Sequence, residues 1–175
     1  MTEKFALVLI DAQVNMFDDG CAVHGADSLL KCLKTLLSQA RQTQIPIFFI
    51  QNNGGKGDPD EPGTEGWRIH PALAPQPGEV ILQKRQTNAF VNPALQEELL
   101  SRGVQHLIIA GMQTEMCVHA TCHGALERGY EVTIVADGHS TFSDEEQSAE
   151  KIIAKYNEEW ASVANVVLAN ALKMF

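Results

Sequence analysis

What most constrains this chain is the spacing of its short apolar runs. Phe5–Ile10 (FALVLI) is apolar throughout and has the length of a strand. Leu29, Leu30, Leu33, Leu36, Leu37 and Ala40 then recur at helical spacing through residues 28–43. Further strand-length runs fall at 47–51 after Pro46, at 80–83, at 107–110 and at 131–136, with an edge strand at 163–168. Helices are expected between them: from Pro93 to near Gly103, from Cys117 toward Gly129, and over about 144–160. Strands that are apolar on both faces and alternate with helices predict a parallel sheet covered on each side. The expected architecture is a three-layer α/β/α, Rossmann-like fold with a mostly parallel six-stranded sheet, in one domain over residues 1–175. The stretch 52–78, rich in Gly, Pro and Asp, is too long for a simple connection and reads as a lid, an interface or a wall of a site.

Charge narrows the function. Thirteen Lys+Arg against 22 Asp+Glu leave a net charge of −9, which opposes binding to nucleic acid or to an anionic membrane. The run Phe5–Ile10, bounded by Lys4 and Asp11, is too short for a signal h-region or a membrane span, so a cytoplasmic location is expected. The four cysteines (Cys21, Cys32, Cys117, Cys122) form no CxxC and are too few for a disulfide scaffold. No GxGxxG follows a strand, which removes the usual dinucleotide signature.

Three chemistry-bearing residues fall at strand ends, where open α/β sheets bind ligands. Asp11 follows the first strand, Lys84 the third, and Cys117 the fourth after a turn through Gly111. A thiol in the first turn of a helix faces unpaired N–H groups and the positive end of the dipole, both of which favour thiolate. Singly, each residue has a structural explanation: a turn Asp, a solvated Lys, a core Cys. Together they point to a cysteine nucleophile.

The chain resembles the isochorismatase-like cysteine hydrolases, specifically the nicotinamidase-related group. The resemblance rests on LVLIDAQVNMF (7–17), EGWRIHPALAPQPGEVILQKRQTNAF (65–90), LIIAGMQTEMCVHATCHGALERGYEVTIVAD (107–137) and the helix around 149–156, in that order along nearly the whole chain. It implies the isochorismatase-like hydrolase fold, an Asp11–Lys84–Cys117 triad and a thioester intermediate in hydrolysis of a small amide, lactam or ureide, with no cofactor. It also implies a non-proline cis peptide at Met112–Gln113, oxyanion donors from the backbone N–H groups of Gln113 and Cys117, and a hydroxyl of Thr114 that holds the turn. A homodimer or larger homo-oligomer is implied as well.

Nicotinamidases of this family carry an Asp-x-His metal pair after the second strand, where this chain has Gln51-Asn52-Asn53. Amides are poor ligands beside carboxylate and imidazole, and His70 alone does not make a site, so metal-independent chemistry is expected. Phe17, Trp67 and Phe90 follow strand ends and are candidate pocket walls; Trp67 reads equally as a subunit contact. His119 and His123 are spaced i, i+4 on one helix with no Glu beside them, and read as surface or interface histidines rather than zinc ligands. Cys122 and Cys32 read as core, and Cys21 as a loop thiol. Two alternatives keep the fold: a peroxide-sensitive Cys117 resolved by Cys21, and a non-catalytic binding module.

Overall fold

Alternate residues of the first strand enter different cores, which is why the sheet needs cover on both sides. In the computed structural model, which describes residues 4–18 and 20–174, β1 (Phe5–Ile10) sends Ala6, Val8 and Ile10 into one apolar cluster and Leu7 and Leu9 into the other. The remaining strands are β2 (Ile47–Asn52), β3 (Val80–Lys84), β4 (His106–Met112), β5 (Glu131–Ser140) and β6 (Asn165–Val167). They lie in the order β3-β2-β1-β4-β5-β6, and every pairing is parallel, more uniform than the mostly parallel sheet expected.

Helix α1 (Ala26–Thr43) covers one face with Leu29, Leu33, Leu36, Leu37 and Ala40. Helices α2 (Pro93–Ser101), α3 (His119–Leu126) and α4 (Ala149–Trp160) cover the other through Leu95, Leu99, Cys122, Ala125 and Trp160. The expected α/β class and its three layers are present. Burying side chains of this size stabilises by about 1.5–3 kcal/mol each, so the two clusters dominate the fold's stability.

Two boundaries differ from expectation for visible reasons. β5 runs on to Ser140 because Gly111 and Met112 of β4 pair with His139 and Ser140 beyond a register shift. α4 starts at Ala149, not near 144. Asp144 Oδ1 takes the N–H groups of Glu146 and Gln147 into a loop, and Ser148 caps the helix through the Lys151 N–H.

The chain leaves central β1 in opposite directions, so the switch point falls between β1 and β4. Gly111 makes it possible: its φ is +128°, and a Cβ there would collide with the Ile10 carbonyl. The long segment after β2 is pinned beside this edge. Gln13 and Gln51 both donate through Nε2 to the Trp67 carbonyl, at 2.9 and 2.8 Å. Gln13 also clamps the Asn52 backbone, donating to its carbonyl and accepting its N–H. Among the described residues no helix is long and apolar enough to cross a membrane.

Candidate active site

Lys84 reaches across the end of β2 to meet Asp11. Its ammonium donates to Asp11 Oδ2 at 2.9 Å, to Cys117 Sγ at 3.2 Å and to Asn52 Oδ1 at 3.1 Å. The Lys84 and Asp11 side chains are 1% and 3% exposed, so this is a buried ion pair beside a half-buried thiol. Three residues remote in sequence therefore converge at the carboxyl edge of the sheet. Asp11 adopts φ +49°, a left-handed conformation that Asp tolerates better than most residues, and its N–H is held by the Ile50 carbonyl. That backbone turn aims the carboxylate along the edge of the sheet. Its second oxygen, Oδ1, is buried without a hydrogen-bond partner.

Burial pushes the Asp11 carboxyl above the usual carboxylate range, and Lys84 offsets only part of that. Burial pulls Lys84 down, but Asp11 and Cys117 outweigh it and leave the lysine raised and charged. Burial, and then the Asp11 charge, push the Cys117 thiol up to about 12 against the pull of Lys84. The pull toward thiolate expected from helix position is opposed here by burial and by the Asp11 charge. Cys117 lies in a π-helical turn, Thr114–Val118, and α3 begins only at His119. Burial thus favours the thiol form of Cys117, beside a carboxyl raised above the ordinary carboxylate range.

The Met112–Gln113 peptide is cis. The turn after it closes through the Met116 and Val118 N–H groups, which both donate to the Gln113 carbonyl. The Thr114 hydroxyl holds the turn from outside it, through His139 Nδ1 at 2.9 Å rather than through a group of the turn itself. His139 Nε2 meets Asn157 Oδ1 at 3.0 Å, and Asn157 Nδ2 donates to the Ala136 carbonyl. That last bond fixes the amide orientation, so His139 carries its proton on Nε2 and accepts from Thr114 on Nδ1. Burial lowers the His139 pKa and keeps the ring neutral. The cysteine turn is thus anchored through three side chains to α4.

The expected pocket walls separate. Phe17 is half-buried, edge-on to His70 with ring centroids 5.0 Å apart. Trp67 is half-buried and donates its indole N–H to Asn53 Oδ1 at 2.8 Å. Phe90 is core rather than wall: it is 4% exposed, stacked on Tyr130, with the Arg128 guanidinium over its ring beyond the far end of α3.

The residues that sequence reasoning missed are polar partners. Asn52, noted only as a lost metal ligand, bridges Lys84 to Asp60 Oδ2, to which its Nδ2 donates at 2.7 Å. His139 lies in a stretch read as loop after the fifth strand. Cys122 is buried as expected, Cys32 is half-buried beside the α1 core, and Cys21 is exposed. The reason for setting aside His119 and His123 also changes, because α4 brings Glu159 to them: their ligand atoms all lie within 4.8 Å of one another.

Known proteins resemble this chain over most of its length. Residues 5–165 match the isochorismatase domain. A streptothricin hydrolase of Streptomyces noursei is 36% identical over 78% of this chain and 54% of its own length, so the chain spans about half of that relative. The ureidoacrylate amidohydrolase RutB of Caulobacter segnis is 26% identical over 67% of this chain and 62% of its own. A crystal structure of an isochorismatase from Pseudomonas putida KT2440 superposes with a TM-score of 0.91 at 28% identity, covering 97% of this chain and 90% of that one.

Proposed function

The chain belongs to the isochorismatase family, and on that premise we propose that it hydrolyses a C–N bond of a small amide, lactam or ureide through a thioester on Cys117. The observation that carries this reading is the single buried ammonium of Lys84, within 3.2 Å of both a carboxylate and a thiol. The names of two relatives, a streptothricin hydrolase and a ureidoacrylate amidohydrolase, support hydrolysis and, for the second, an amide bond.

In the first half-reaction Asp11 takes the Cys117 thiol proton as sulfur attacks the substrate carbonyl carbon. Lys84 stabilises the negative charge while it resides on sulfur. The oxyanion is received by the backbone N–H groups of Gln113 and Cys117. Donors of this kind are typically worth about 3–4 kcal/mol each. Asp11 returns its proton to the leaving nitrogen as the C–N bond breaks. In the second half-reaction Asp11 takes a proton from water, the hydroxyl adds to the thioester, and the C–S bond breaks to regenerate the thiol. A proton affinity above the ordinary carboxylate range suits Asp11 to this shuttling. The high thiol pKa disfavours the peroxide-sensor alternative, since sulfenic acid formation follows thiolate character.

The test is ammonia or amine release from a panel of primary amides, ureides and lactams, with and without chelator, beside Cys117→Ala. Turnover that is insensitive to chelator and absent in the variant is the expected result. Turnover retained by Cys117→Ala would overturn the mechanism.

A further inference from the structure

Among the described residues, one cluster outside the triad has the composition of a metal site. We propose that His119 and His123 of α3 and Glu159 of α4 bind a divalent d-block cation of the zinc type, which clamps the two helices together.

The three donors come from two elements. The histidines lie one helical turn apart on α3, with ring centroids 4.5 Å apart, and the carboxylate enters from the last turn of α4. A tetrahedral ion with bonds of about 2.0–2.1 Å spaces its ligand atoms roughly 3.3 Å apart. Atoms already within 4.8 Å of one another therefore close on it by movements on the order of 1 Å, well within reach of an exposed Glu159. His119 is oriented in advance, its ring edge-on to Tyr156 at 5.0 Å and tilted over Trp160 at 6.2 Å. Its Nδ1 is buried with no hydrogen-bond partner, and with the ring proton on Nε2 it presents an unengaged lone pair. Two imidazoles and one carboxylate favour zinc, cobalt, nickel or copper over magnesium or calcium.

The site is separate from the catalytic cluster, where the Lys84 ammonium opposes a cation. Its position still bears on that cluster, because His119 directly follows the cysteine turn and α4 carries Asn157, the end of the Thr114–His139 chain. A bound ion fastens both ends of that chain.

The experiment titrates Co2+ and Zn2+ into protein carrying Cys117→Ser and Cys21→Ser, with thiol ligation at those positions removed. It follows the visible cobalt spectrum, calorimetric stoichiometry and thermal unfolding, none of which depends on turnover, so failure of the amidase reading leaves this test intact. One equivalent is expected to bind with a tetrahedral cobalt spectrum lacking a thiolate charge-transfer band, and Zn2+ is expected to raise Tm. His123→Gln and Glu159→Gln, checked for native circular dichroism, are each expected to weaken binding at least tenfold. Absence of stoichiometric binding, a thiolate band, or affinity unchanged in both variants would overturn the proposal.

Discussion

The two ends of the sheet each carry a close ion pair, and the pairs have opposite character. At the carboxyl edge, Lys84 and Asp11 lie 2.9 Å apart in full burial, and the carboxyl is pushed above its ordinary range. At the amino edge, Arg41 of α1 grips Glu79 with two nitrogens at 2.7 and 3.0 Å. There burial alone would also raise the acid, but the Arg41 fork and the Gln76 N–H outweigh it, and Glu79 is lowered. The first difference is burial, complete at Asp11 and partial at the Arg41–Glu79 pair, and hydrogen-bond supply adds to it. Both Glu79 oxygens are satisfied, whereas Asp11 Oδ1 has no partner. A pair with all its lone pairs engaged stabilises the fold; one with a free acceptor retains the capacity to take a proton.

The sharpest way to break this contrast is Asp11→Asn. Asn tolerates the left-handed backbone but leaves the buried Lys84 ammonium without its counter-charge, so the variant is expected to fold with some loss of stability while turnover falls about 10²–10⁴-fold. Measured kcat and Tm decide it: a variant that loses stability rather than turnover would make this pair structural too. Asn52→Ala removes one of Lys84's three contacts and should lower kcat roughly tenfold through misplacement of the ammonium. Unchanged kinetics would show that Asp11 and Cys117 suffice to place Lys84.

Glu79→Gln is expected to cost about 1–2 kcal/mol with kcat unaltered, a modest figure because Arg41 keeps 27% exposure. Denaturant unfolding at several pH values sharpens the point. Glu79 has a folded pKa below its unfolded value of 4.5, so its contribution is present above that pH and disappears as pH falls through the folded value. Asp11 has the opposite sign. The folded protein holds its proton more tightly than the unfolded chain, so this group lowers stability as pH rises from its unfolded value through the raised folded one. The smallest expected effect is in the pH profile of kcat/KM. Activity needs ionised Asp11 and is lost as pH falls through that raised value, so the acid limb should lie above about 3.9, the ordinary Asp value. A limb at or below it would mean that Asp11 is not the base.

The strands were legible because each is a continuous apolar run, the pattern that a sheet buried on both faces requires. Asp11, Lys84 and Cys117 could be placed from strand ends alone, since the end of a strand fixes the edge on which a residue lies. What could not be read depends on partners distant in sequence. The residues that close β5, Asp137 to Ser140, carry no apolar signal, and the strand runs on because Gly111 and Met112 of β4 pair with His139 and Ser140. The protonation of Cys117 is not readable from sequence because helix position gives the sign of a local field but not the burial that opposes it. Phe90 was assigned to the wrong place because a residue in a loop after a strand can turn back into the core, as the 3-10 turn Ala89–Val91 does. Asn52 and His139 were invisible as partners because short polar side chains acquire roles only when another chain segment arrives.

Lys84 is the last residue of β3, and β3 is the edge strand, paired on one side only, to β2. Edge strands open by local fluctuation more readily than the interior of a sheet. When the end of β3 detaches, the ammonium departs while Asp11 and Cys117 stay held at the ends of interior strands β1 and β4. The chemistry is then gated by a sub-global opening: on mild heating, activity fades before the spectroscopic melt, and amide exchange in 80–84 runs ahead of that in β1 and β4.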